Sequence, residues 1–116
     1  MRGQATTRHK YTADFWNFTQ ETVITELDGE QIETIERTYY FSKKIKLTLG
    51  VDTLQRLKIF ADEPLPIFSQ LRNITDISGI NVLQGGTWQV TGTESVLSAM
   101  GLVEGYRMNA QLIAGV

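Results

Sequence analysis

Cysteine is absent from this 116-residue chain, and histidine occurs once, at position 9. Without thiols there is no disulfide framework, no thiolate metal site and no cysteine nucleophile. Only two prolines occur, both inside Asp62-Glu63-Pro64-Leu65-Pro66, where a missing backbone donor costs nothing. Charge of one sign is also lacking. Eleven Lys+Arg against thirteen Asp+Glu leave a formal charge of -2, which argues against a surface built throughout to hold nucleic acid. No apolar run approaches the ~20 residues that span a bilayer. The polar opening, Met1-Arg-Gly-Gln-Ala-Thr-Thr-Arg8, does not read as a signal peptide. Hydrophobic residues at 41% and charged residues at 21% fit an ordinary globular chain. The length suits one domain over residues 1–116, with a radius of gyration of roughly 13 Å. Residues 1–8 read as a flexible lead-in.

What is present is β-sequence. Residues 9–18, rich in threonine and aromatics, read as a strand with Tyr11, Ala13 and Phe15 on one face. Trp16 and Phe18 break the alternation, so the strand is expected to be covered on both sides near its end. Asp28-Gly29 between the β-prone runs 22–27 and 30–35 is a hairpin signal, since both turn residues need positive φ. Six carboxylates (Glu21, Glu26, Asp28, Glu30, Glu33, Glu36) precede the first cation, Arg37. The apolar supply there is thin, and residues 21–36 read as an acidic arm projecting from the body. The longest strand is 38–49. Its odd positions, Tyr39, Phe41, Ile45, Leu47 and Leu49, are assigned to the core and its even positions to solvent. Residues 56–61 form a short strand. Residues 67–77 are ambiguous between irregular structure and one helical turn passing into a strand. A Gly85-Gly86 hairpin joins 80–83 to 87–91, with Trp88 and Val90 on a shared face. Residues 94–100 read as a loop or a helical turn. The last strand, 102–113, places Leu102, Tyr106, Met108, Ala110 and Leu112 inward. The expectation is an all-β fold: a small closed barrel or two-sheet sandwich of six or seven antiparallel strands with a projecting hairpin.

Residues suited to bond chemistry are scarce. His9, between Arg8 and Lys10, reads as a surface residue near the chain end, and one histidine suggests no nucleophile–base–acid arrangement. Asp62-Glu63 reads as a solvated loop, lacking the apolar surroundings that raise a catalytic carboxyl. Gly85-Gly86 is followed by neither Lys-Ser/Thr nor a helix, so it is a turn and not a phosphate loop. Asp28, Glu30 and Glu33 echo an oxygen-only cation site only faintly, and the turn explains Asp-Gly more simply. No catalytic residue, metal or cofactor is expected.

Two charge clusters suggest binding instead. Lys43, Lys44 and Lys46 follow Tyr39, Tyr40 and Phe41 and precede Arg56 and Lys58. Interleaved aromatics and cations are used by single-strand nucleic-acid platforms, although lysines also blunt sheet edges. Against this segment stands the acidic arm, with Glu26, Asp28, Glu30 and Glu33 as its interaction candidates. An acidic arm can dock on the basic face of another copy, head to tail, making a ring or tube. The two segments can equally pair within one molecule.

Taken together, the aromatic opening strand Ala13-Asp-Phe-Trp16, the arm-like hairpin, the succession Ile74-Thr-Asp-Ile-Ser-Gly79 and Gly86-Thr-Trp88-Gln-Val90-Thr-Gly92, and the closing strand Gly105-Tyr106-Arg-Met-Asn-Ala-Gln-Leu112 resemble the small head-closure ("stopper") and head–tail joining proteins of tailed bacteriophages. The similarity spans most of the chain in pattern and rests on no strict motif. It implies a non-enzymatic virion protein, assembled in the host cytoplasm as a ring at the neck. Portal or adaptor proteins would lie above it and tail proteins below, with DNA passing nearby and no membrane involved. The loops 50–55 and 78–86 would then line or plug the channel. Tail-completion, tail-tube and minor-capsid roles are neighbouring readings. A monomeric oligonucleotide-binding barrel, using Tyr40, Lys44 and Lys46, is the alternative from a different class.

Overall fold

The computed structural model describes residues 9–53 and 55–114. Six antiparallel strands follow in chain order: β1 (Tyr11–Leu27), β2 (Glu30–Thr53), β3 (Arg56–Ala61), β4 (Gln70–Asp76), β5 (Thr87–Leu97) and β6 (Val103–Ala114). They form one sheet in the order β1-β2-β3-β6-β5-β4, closed into a barrel where β4 returns to β1. Closure removes the sheet edges that six amphipathic strands would otherwise expose. The β4–β5 seam is the shortest, with Gln70 opposite Gln89 and Leu71 opposite Trp88.

The interior follows the two-residue period of each strand except β4, where an irregularity at Asn73 sets Leu71 and Ile74 three residues apart. Ala13 and Phe15, Ile45 and Leu47, Leu57 and Ile59, Leu71 and Ile74, Trp88 and Val90, Met108 and Ala110 are all buried. Tyr106, Leu112 and Leu49 pack half-buried against them. Leu102, assigned inward from the alternation, is 66% exposed because β6 has not yet joined the barrel wall there.

Several local expectations are revised. Residues 66–69 form a tight turn, with the Ser69 amide and hydroxyl both donating to the Pro66 carbonyl, and strand β4 follows at once. Residues 80–83 do not form a hairpin arm. Asn81 makes a single bridge to Thr75, and a 3-10 turn at Leu83–Gly85 leads into β5. Residues 94–97 continue β5 and pair with β6, so the turn is confined to 98–101. Residues 50–53, expected as loop, extend β2, and position 54 and the lead-in 1–8 lie outside the described residues.

The largest revision concerns β2. Phe15 lies opposite Lys43 and Trp16 opposite Phe41, so Ser42 is an extra residue without a partner on β1. One inserted residue inverts the faces on either side of it. Beyond this bulge Tyr39 and Phe41 share the outer face with Phe18 and Trp16, contrary to their assignment to the core; Phe41 is 49% exposed.

β1 and β2 also outrun the barrel. β4 pairs with β1 only as far as Trp16, and β3 pairs with β2 only from Leu47 onward. Residues 17–27 and 30–41 therefore form a two-stranded ribbon, closed at Asp28-Gly29 with both φ values positive. The ribbon stretches the molecule to 62 × 36 × 26 Å and raises its radius of gyration to 16.8 Å, above the compact expectation.

Candidate interaction surface

Three regions collect the polar and aromatic side chains that sequence reasoning singled out or overlooked. The first is the root of the ribbon. Trp16 meets Phe41 edge to face at 6.1 Å, and Phe18 meets Tyr39 at 5.7 Å. The Arg72 guanidinium lies 4.0 Å from the Trp16 ring, and that of Arg37 lies 3.9 Å from the Phe68 ring. Tyr39 donates its hydroxyl to the Phe68 carbonyl at 2.8 Å. These contacts cover Trp16 and Phe18 from outside the barrel, as the broken alternation of β1 implied. They also anchor the ribbon, because cation–π and aromatic pairs each contribute about 0.5–1.5 kcal/mol.

The second region is the lysine segment, and its three candidates part company. Lys43 pairs with Glu63 at 2.6 Å, and Lys44 with Asp14 at 2.8 Å. Asp14 also accepts from the Asn73 side chain. Burial pushes the Asp14 carboxyl up, but the hydrogen bonds from Asn73 and Lys44 and the Lys44 charge outweigh it and hold the group below the ordinary aspartate value. Tyr40 sits opposite Asn17, whereas Lys44 sits opposite Asp14, so the Ser42 bulge turns Tyr40 and Lys44 to opposite faces. The trio Tyr40, Lys44 and Lys46 proposed for oligonucleotide contact thus shares no common face. Lys46 on β2 and Arg56 and Lys58 on β3 are exposed and make no ion pair among the described residues.

The third region is the arm itself. Glu26, Asp28, Glu30 and Glu33, together with Glu21 and Glu36, are all exposed and form no ion pair among the described residues. The pairing of acidic arm and basic strand within one molecule, which the sequence left open, is therefore not made. Glu21 faces Glu36 directly across the ribbon, an arrangement that costs about 0.2–1 kcal/mol. Ile24, Leu27 and Ile35 are each more than half exposed on the same ribbon.

His9 is the residue that sequence reasoning misplaced. Its imidazole is fully buried, with Nδ1 2.8 Å from Thr48 Oγ1 and Nε2 2.9 Å from Asp62 Oδ1. An ionised carboxylate only accepts, so Nε2–H donates to Asp62. The ring also lies 5.7 Å from that of Phe60. The partners are 39 and 53 residues away in the chain, so no local pattern announces them. A buried ring bridging hydroxyl and carboxylate resembles part of a catalytic relay, yet its full enclosure suits it to tying the chain to β2 and the end of β3. Asp62 and Glu63, expected as solvated, are both paired through these contacts. No group of three or more metal-capable side chains occurs among the described residues.

The class the structure defines is a closed six-stranded antiparallel β-barrel carrying a long acidic β-ribbon. No family model, no curated protein and no solved structure matches this chain.

Proposed function

We propose that this chain is a structural virion protein of a tailed bacteriophage that assembles as a ring at the head–tail junction and closes or extends the portal channel. The observation that carries the reading is the ribbon. A lone two-stranded hairpin is marginal in water, and this one displays exposed isoleucine and leucine, two unpaired backbone edges and six carboxylates that form no ion pair among the described residues. Such an element gains its stability from a surface supplied by another subunit. The barrel is the rigid body that presents it, and the sequence resemblance to head-closure and head–tail joining proteins supplies the setting. Portal or adaptor and tail proteins are the neighbours in this reading.

The experiment replaces residues 22–35 by Asn-Gly, which joins the facing residues Glu21 and Glu36 through a two-residue turn. Circular dichroism checks that the barrel remains folded. Mass photometry and electron microscopy then compare assembly with the full chain, alone and on portal complexes. Loss of rings or of portal binding with an intact barrel is expected. A shortened chain that assembles as the full chain does would overturn the proposal.

A further inference from the structure

The outer face of β2, β3 and β6 near the β2–β3 turn is basic, with no carboxylate among its described side chains. Its outward positions are Lys46, Thr48 and Gly50 on β2, Arg56, Lys58 and Phe60 on β3, and Arg107, Asn109 and Gln111 on β6. Of its four cations, Arg107 is paired with Glu94, and the other three make no ion pair among the described residues. Beside them a shallow recess of about 360 Å³ is lined by Arg56, Thr91, Asn109 and Gln111 together with Leu57 and Ala110. It opens where β5 carries an extra residue, Thr91, between the pairs Val90–Ala110 and Gly92–Asn109. A guanidinium and two side-chain amides around one recess make a seat for carboxylates, while the Thr91 hydroxyl donates to the Asn109 carbonyl.

The chain carries the complementary surface at the other end of the same strand. β2 begins at Glu30, next to the acidic turn, and ends at Thr53, next to Arg56. Ribbon tip and basic face therefore occupy the two ends of one 24-residue strand, which keeps them from meeting within a molecule. Two complementary surfaces on different parts of one chain make a heterologous contact, which propagates head to tail into a ring or filament.

We propose that the ribbon of one copy docks on this β2–β3–β6 face of the next. Glu26, Asp28, Glu30 and Glu33 meet Lys46, Arg56 and Lys58, and the ribbon turn enters the recess. Lys43 and Lys44 take no part, since Glu63 and Asp14 already compensate them. The inference rests on the ring reading above and names the surface that reading leaves unassigned.

The test exploits the absence of cysteine. A Gln31→Cys chain, labelled near the ribbon tip with a benzophenone maleimide, is mixed with isotope-labelled unsubstituted chain at low salt and irradiated. Mass spectrometry then maps the cross-links between copies. They are expected on peptides containing residues 56–58 and 109–111, and to fall at least tenfold in 0.5 M salt because surface charge pairs are screened. The triple change K46E/R56E/K58E, or the triple change E26K/E30K/E33K, should each cut assembly at least tenfold. Combining all six in one chain should restore it. Cross-links between copies that map elsewhere, with charge reversal having no effect, overturn the docking face but leave the ring reading standing. A chain that sediments as a monomer at every salt and concentration, forms no cross-links between copies and builds no ring on portal complexes overturns both.

Discussion

Replacing His9 by alanine tests whether a residue so close to the chain start holds the barrel together. The imidazole contributes two hydrogen bonds, at 2.8 Å to Thr48 and 2.9 Å to Asp62, each worth about 0.5–1.5 kcal/mol. Its contact with Phe60 at 5.7 Å adds about 0.5–1 kcal/mol. Truncation also leaves a void beneath the chain, so the expected loss is about 2–4 kcal/mol. For a domain near this size that is a fall in Tm of roughly 10–20 °C. Urea unfolding followed by tryptophan fluorescence measures it, since Trp88 lies inside the barrel. A double-mutant cycle with Asp62→Ala should return a coupling of about 1 kcal/mol, because the two groups touch. If His9→Ala costs less than about 0.5 kcal/mol, as an ordinary surface change does, the anchoring role is wrong.

Further outcomes follow from other contacts. Gly105→Ala would place a Cβ 2.5 Å from Phe60 Cζ and 3.1 Å from the Ala61 carbonyl oxygen, so a loss of about 1–3 kcal/mol is expected. Gly92→Ala, whose Cβ would meet only Asn109 Nδ2 at an ordinary 3.6 Å, is the control and should unfold at a higher urea concentration than Gly105→Ala. Lys44→Ala removes a hydrogen bond and a charge that hold the Asp14 carboxyl down, so that carboxyl should rise toward its ordinary value. A depressed folded-state carboxyl stabilises above its unfolded pKa, and the benefit is lost as pH falls through the folded value. The stability gap between the natural chain and Lys44→Ala should thus be full at neutral pH and shrink in acid; a gap constant down to pH 2 would contradict the assignment. Deleting Ser42, the residue without a partner on β1, leaves Trp16 opposite Phe41 and Phe18 opposite Tyr39, so the near-ultraviolet circular dichroism of the ribbon root should be retained; its loss would contradict the bulge.

The charge pattern of the candidate surface was legible as composition but not as geometry. Six acids before Arg37 and a run of cations after it are visible in a linear reading. That Lys43 and Lys44 are compensated, while Lys46, Arg56 and Lys58 make no ion pair among the described residues, depends on Glu63 and Asp14 arriving from separate strands and loops. The root of the ribbon was hidden for the same reason. Arg37 and Arg72 reach Phe68 and Trp16 only once β1, β2 and β4 are side by side. A signal did exist for part of it. Lys43 falls among apolar odd positions and interrupts the pattern one residue away from Ser42, where the bulge lies.

Read alone, the amino-acid order determined that this protein is built from strands, that Asp28-Gly29 turns the chain back on itself, that Trp88 and Val90 share a face, and that Met108 and Ala110 lie on the apolar face of the last strand. Those features depend on neighbours within a few residues: a side-chain period of two, and a turn whose backbone angles favour glycine and aspartate. Closure of the barrel, inversion of faces at Ser42, enclosure of His9 and the pairing of Lys43 and Lys44 were decided only by the tertiary structure. Each of these requires groups tens of residues apart to meet, and hydrogen bonds or ion pairs over such separations leave no periodic trace in the chain.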